Sequence, residues 1–147
     1  MSHPPWKKNP ARSELLALYT EIDALVASWT CPASTDCCHF GRTGREPYVH
    51  AVELAELEHA VQARPLKRSL PLVEARRCPL LGDDGRCRVY ASRPFGCRTY
   101  FCDRAEGPGK WPRAEVGAIA RKIADLSARA FPRDAGPRPL LKALALK

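Results

Sequence analysis

The apolar positions fall into three helical stripes, separated by stretches that follow no helical period. Leu15, Leu18, Ile22, Leu25 and Trp29 recur in steps of three and four. That spacing lines one face of an α-helix and leaves Glu14, Glu21 and Asp23 on the other. Ser13 stands at an N-cap position, so the pattern predicts a helix from about Glu14 to Trp29, with Trp29 in the core. A second stripe, Leu54, Leu57 and Val61, predicts a helix from about Val52 to Ala63, with Pro65 just past its end. Glu53, Glu56, Glu58 and His59 on that helix read as a solvated face, because no second Glu-x-x-His exists to complete a dimetal pattern. The third stripe, Val116, Ile119, Ile123, Leu126 and Ala130, predicts a helix from Pro112 to Ala130 with proline in its first turn. Arg121, Lys122 and Arg129 are then left for solvent or an acidic partner.

The intervening stretches are loops and short extended pieces. CPASTDCCHFGRTGREP is punctuated by Pro32, Gly41, Gly44 and Pro47, and a short extended piece is expected around Tyr48–His50. Cys78–Leu81 and Arg86–Tyr90 flank the turn Gly82 to Gly85 and read as a β-hairpin or a knuckle like one, which brings Cys78 and Cys87 near each other. Arg93 and Pro94 open a compact turn or short helix carrying Cys97 and Cys102. Beyond residue 131, Pro132, Pro137 and Pro139 precede the tail LLKALALK, which docks as a last helical turn or stays mobile. The expected architecture is mainly α with a small irregular β-hairpin, a single cysteine-rich, metal-centred domain. Residues 1–12 form a flexible start, 13–131 the metal-binding domain, and 132–147 a proline-rich linker and tail.

The cysteines carry the chemistry. All seven lie in two groups, Cys31, Cys37 and Cys38, then Cys78, Cys87, Cys97 and Cys102, and an odd number cannot pair off completely. No apolar run reaches the roughly 18 residues of a membrane span, and the opening MSHPPWKKNPARSE has no signal-peptide pattern. The expectation is a soluble, cytoplasmic protein with no membrane association. In such a reducing compartment a cysteine-rich chain is more often a metal binder or redox protein than a disulfide scaffold. Thiolates are soft ligands that select zinc, copper(I) or iron-sulfur clusters.

Spacing leaves the metal open. The gaps of five, eight, nine and four residues contain no pair of Cys-x2–4-Cys knuckles, which counts against an ordinary zinc ribbon, and they match no familiar ferredoxin run. Neighbouring side chains in an extended segment point to opposite sides, so Cys37 and Cys38 suit two different metal atoms or sites. The alternatives are that one of the two is a buried small hydrophobe or that they form a vicinal disulfide. His39 is a ligand or a surface residue, whereas His3, His50 and His59 read as ordinary. Arg93 and Arg98 flank Cys97, where a guanidinium offsets the charge of a thiolate-rich centre or donates to cluster sulfurs. Asp83 and Asp84 are turn formers.

Charge adds a candidate partner. Residues 1–63 carry a net charge of −3 and residues 64–147 one of +11, which points to an acidic protein or another acidic partner for the second half. Nucleic acid is disfavoured, since neither an aromatic-plus-basic strand nor recognition-helix spacing is present.

CPASTDCC, from Cys31 to Cys38, resembles the CxxCxxCC signature of the YkgJ-like cysteine-cluster proteins. GRCRVYASRPFGCRTYFC, from Gly85 to Cys102, resembles that family's GxCxIYxxRPxxCRxFxC block. With Cys78 between them, the matches cover about half the chain. The resemblance implies a zinc- or iron-chelating domain, often labelled as an iron-sulfur protein, and a similar domain is associated with flagellin lysine methylases. Ser34 stands where the signature has its second cysteine, so that position is open or is filled by Ser34, His39 or solvent. Three functions follow in order: an iron-sulfur or iron protein in a redox or accessory role; a structural zinc protein docking an acidic partner; and a metal-dependent or methylase-like enzyme. The enzyme reading comes last, because no cofactor loop or catalytic set is present.

Overall fold

The computed structural model describes residues 5–29, 46–63, 78–81, 87–99, 110–134 and 136–145. Among these the chain is mainly helical, as the hydrophobic pattern predicts, and it carries one small antiparallel sheet. Helix α1 spans Pro10–Leu25, α2 spans Ala51–Ala63, the single turn α3 spans Phe95–Arg98, α4 spans Arg113–Ala130 and α5 spans Leu140–Ala145. Strands β1 (Tyr48–Val49) and β2 (Arg138–Pro139) pair with Tyr48 opposite Pro139 and Val49 opposite Arg138.

Helix α1 starts earlier than the Ser13 cap implies. Asn9 is the cap: its side chain accepts from the Ala11 amide at 2.9 Å, and Pro10 occupies the first helical position, where its missing N–H costs nothing. The helix also ends earlier, at Leu25, and turns bonded from Val26 to Ile22 and from Trp29 to Val26 lead the chain away. The buried stripe is consequently Ala11, Leu15, Tyr19, Ile22 and Val26, with Leu18, Leu25 and Trp29 packed at its margin. Trp29 meets the edge of Trp111 at 5.1 Å between ring centroids.

Helix α2 lies between two apolar clusters. On one side Val52 joins the α1 stripe and Ile119, Ile123 and Leu126 of α4. On the other side Leu54 and Leu57 pack with Val49, Cys78, Leu80, Val89, Leu140 and Ala143. Each fully buried aliphatic side chain contributes about 1.5–3 kcal/mol, so these clusters are the main cohesion of the described fold. The tail docks: Leu140 and Ala143 are fully buried. The Leu140 amide donates to the Pro47 carbonyl at 2.9 Å and the Leu141 amide to Glu46 at 3.1 Å.

The solvated face expected on α2 is corrected by the packing. Glu53 and Glu56 are each only 1 % exposed. Glu56 accepts from Trp6 Nε1 at 3.0 Å and from two nitrogens of Arg12 at 2.9 and 3.2 Å. A buried carboxylate is tolerable only with such donors, and these come from the segment before α1 and its first turn, far away in sequence. On the outer surface Lys122 and Arg129 of α4 approach Glu21 and Glu14 of α1 at 3.9 and 3.5 Å. Both pairs are exposed and contribute at most about 1 kcal/mol each.

Candidate metal centre

Three of the seven cysteines lie within the described residues. Cys31, Cys37, Cys38 and Cys102 lie outside them, as do Ser34, His39, Asp83 and Asp84. Cys78 opens the predicted knuckle. Its carbonyl accepts the Leu81 amide at 3.1 Å, Leu81 forms an antiparallel bridge with Cys87, and the Arg88 amide returns to the Leu80 carbonyl at 2.9 Å. Cys78 is buried, Cys87 is half-buried, and both pack on the cluster that α5 closes. The knuckle therefore brings these two thiols to one apolar patch, as the hairpin reading requires.

Cys97 sits on α3, where its amide bonds to the Pro94 carbonyl at 3.0 Å. Among the described residues no three histidine, cysteine, aspartate or glutamate side chains are grouped so as to hold an ion. Cys78, Cys87 and Cys97 thus do not form a complete site among themselves. The carboxylates and histidines of α2 do not either. As a donor set, two thiols on one knuckle in apolar surroundings fit one part of a soft-metal site, since a bound cation offsets the cost of thiolate charge there.

The turn that bears Cys97 is held by a polar network that sequence reading missed. Glu53 occupies the N3 position of α2, and its Oε1 accepts from the His50 amide at 3.3 Å, the return half of a capping box. Its Oε2 accepts from the Tyr19 hydroxyl at 2.9 Å and from the Phe95 amide, the first of α3, at 2.6 Å. Burial pushes the Glu53 carboxyl up from its ordinary value, and the bonds from Phe95, Tyr19 and His50 oppose that shift. Tyr19 is held well above the ordinary phenol value, first by burial and then by the adjacent Glu53 charge. Ser127 of α4 completes the start of α2 by accepting the Val52 amide at 3.2 Å.

Arg98 is the cationic member. Its guanidinium donates to Asp23 at 2.7 Å, to the Arg93 carbonyl at 2.6 Å and to the Ala91 carbonyl at 2.5 Å. The same group lies over the Tyr19 ring. Its side chain is 4 % exposed, and these donors are committed to protein acceptors. Arg93 is more open, with Nε donating to the Tyr90 carbonyl at 3.0 Å and the guanidinium stacked 3.8 Å from the Tyr90 ring. A cue to Arg98 lay in its position directly after Cys97, but that adjacency does not say that its partner is Asp23 on α1.

These features define a class, a small helical protein whose described cysteines lie on a bridged knuckle and on one short helical turn beside the main helices. The chain belongs to the CxxCxxCC family, described as a "putative zinc- or iron-chelating domain", whose model matches residues 30–115. No curated protein and no solved structure matches the chain. Among the described residues no helix is long and apolar enough to cross a membrane.

Proposed function

We propose that the chain holds iron or an iron-sulfur cluster on its cysteine thiolates and works as a redox or accessory protein. The carrying observation is that Cys78 and Cys87 share one apolar patch on a bridged knuckle within the region matched to a metal-chelating family. Seven thiols with an adjacent pair, and without paired zinc knuckles, support a centre larger than one tetrahedral zinc. Cys31, Cys37, Cys38, Cys87, Cys97 and Cys102 join Cys78 as its ligands, with Ser34 or His39 at the position left by the eighth cysteine.

The family description also supports a zinc reading, in which the metal is structural and the basic second half docks an acidic protein. Lys110, Arg113 and Arg121 are exposed and suit that role. Metal and acid-labile sulfide content, with a visible spectrum on protein purified without oxygen, decides between the two. Iron with sulfide and a broad visible band is the expected result. Stoichiometric zinc without sulfide or colour overturns the iron reading in favour of zinc. Cys87→Ser is expected to carry less metal, and unchanged content removes Cys87 from the ligand set.

A further inference from the structure

We propose that Glu53 and Asp23 are positioning residues that set the Cys97 turn for its metal before the metal arrives, by holding α3 at both ends. The inference rests on the metal-centre reading above and adds residues that no cysteine motif contains.

Helix α3 is four residues long. One isolated helical turn fixes several dihedrals for very few hydrogen bonds, so it does not persist without outside support. Support arrives at both ends. At the start, Glu53 of α2 accepts the Phe95 amide at 2.6 Å. At the end, Asp23 of α1 takes the Arg98 guanidinium at 2.7 Å. Cys97 lies between these two clamps. The same guanidinium gathers the carbonyls of Ala91 and Arg93, so the approach to α3 is fixed with it. Gly96 adds a steric stop, since a Cβ there would meet Pro47 Cβ at 2.7 Å.

A ligand already held in place loses little freedom on binding, whereas a loose one must be ordered by the metal itself. Outer partners that orient metal ligands typically change metal affinity by about 10- to 100-fold when removed. Glu56 supplies an internal comparison. It is as buried as Glu53 and lies three residues along the same helix, but its bonds go to Trp6 and Arg12. Glu56 therefore supports the fold without a bond to the Cys97 turn.

The test uses full-length, metal-free wild type, Glu53→Gln, Asp23→Ala and Glu56→Gln. Zinc is titrated against a chromophoric chelator, and amide exchange is followed at Cys97, Arg98 and Thr99. Zinc suits the purpose because thiolate sites that take iron also take zinc. Expected are a fall in zinc affinity of about 10-fold or more for Glu53→Gln and Asp23→Ala, and faster exchange of the three amides before metal is added. Glu56→Gln should lose stability to urea with zinc affinity and amide exchange retained. Wild-type affinity in both Glu53→Gln and Asp23→Ala, or an equal fall in Glu56→Gln, would overturn the positioning role. Asp23 is 48 % exposed, so Asp23→Ala keeps the test open if Glu53→Gln does not fold. A wild-type chain that takes up neither zinc nor, on reconstitution with ferrous iron and sulfide, an iron-sulfur cluster instead overturns the metal reading itself, and this inference with it.

Discussion

The Arg98 guanidinium lies 4.0 Å over the ring of Tyr19, whose hydroxyl donates to Glu53. A cation and a buried carboxylate are thus linked through one phenol. The ring face receives the positive charge and the hydroxyl serves the negative one. Because Arg98 sits on the Cys97 turn, Tyr19 on α1 and Glu53 on α2, this contact joins three elements that are distant in sequence.

Arg98→Lys tests how much the fold depends on guanidinium geometry. Lysine keeps the charge, but its single ammonium cannot reach Asp23 and two carbonyls from the same position while covering the ring. Two or more acceptors then lose a charged donor. The expected loss is about 2–4 kcal/mol. Urea unfolding of the metal-free protein measures it, and a midpoint equal to wild type would mean that these bonds contribute nothing net.

Tyr19→Phe separates the phenol from the rest of the network through pH. The folded-state pKa of Tyr19 is raised, so the folded chain retains a proton that the unfolded chain releases above about pH 10. The stability from that proton is fully present below the unfolded value and is lost as pH rises toward the folded one. Stability of the wild type should therefore decline above about pH 10 more steeply than that of Tyr19→Phe. Near neutral pH the variant should lose about 1–2 kcal/mol, because Glu53 has one donor fewer. Denaturant midpoints for both proteins across pH 7 to about 11 check both statements; parallel curves would show that the Tyr19 proton is not linked to folding.

The helices were legible because their apolar residues repeat at the helical period, and α4 matches its stripe almost residue for residue. Helix α1 starts at Pro10 and not after Ser13, because Asn9 followed by Pro10 is the stronger start signal. The bridge between Leu81 and Cys87 falls where the sequence pattern places a hairpin or knuckle. Burial of Glu53 and Glu56 was not legible. A glutamate on an amphipathic helix reads as solvent-facing, and apart from the His50 amide the donors that permit burial sit 34 to 50 residues away in the chain. No local pattern encodes that pairing. The cysteines reveal the chemistry by residue type alone, but the supports of Cys97 emerge only from tertiary contacts.

Gly96→Ala probes the packing under the Cys97 turn. An added Cβ would meet Pro47 Cβ at 2.7 Å and Pro47 Cα at 3.4 Å, and a proline ring beside a paired strand has little room to move. Alanine has the higher helix propensity, so intrinsic preference alone would stabilise α3. Steric overlap should win, with a net loss of about 1–3 kcal/mol. Thermal unfolding of the metal-free protein gives the sign directly. A raised midpoint would show that α3 can move off β1 at little cost.

Leu140→Ala asks whether the tail is part of the domain that houses Cys78. Leu140 is 1 % exposed and packs in the cluster that contains Cys78, Leu54, Leu57 and Val89. Truncation removes most of its buried aliphatic surface and leaves a space that neighbours refill incompletely, at a cost of about 2–5 kcal/mol. The consequence reaches the thiol, because α5 closes the patch where Cys78 is buried. In the metal-free variant Cys78 should be alkylated faster than in wild type, as local opening becomes less costly. Peptide mass mapping after timed alkylation distinguishes Cys78 from the other thiols. Lower stability with unchanged Cys78 labelling would mean that α5 braces the scaffold without covering the knuckle. Faster labelling together with lower stability would place the chain's last helix among the elements that shelter the candidate metal centre.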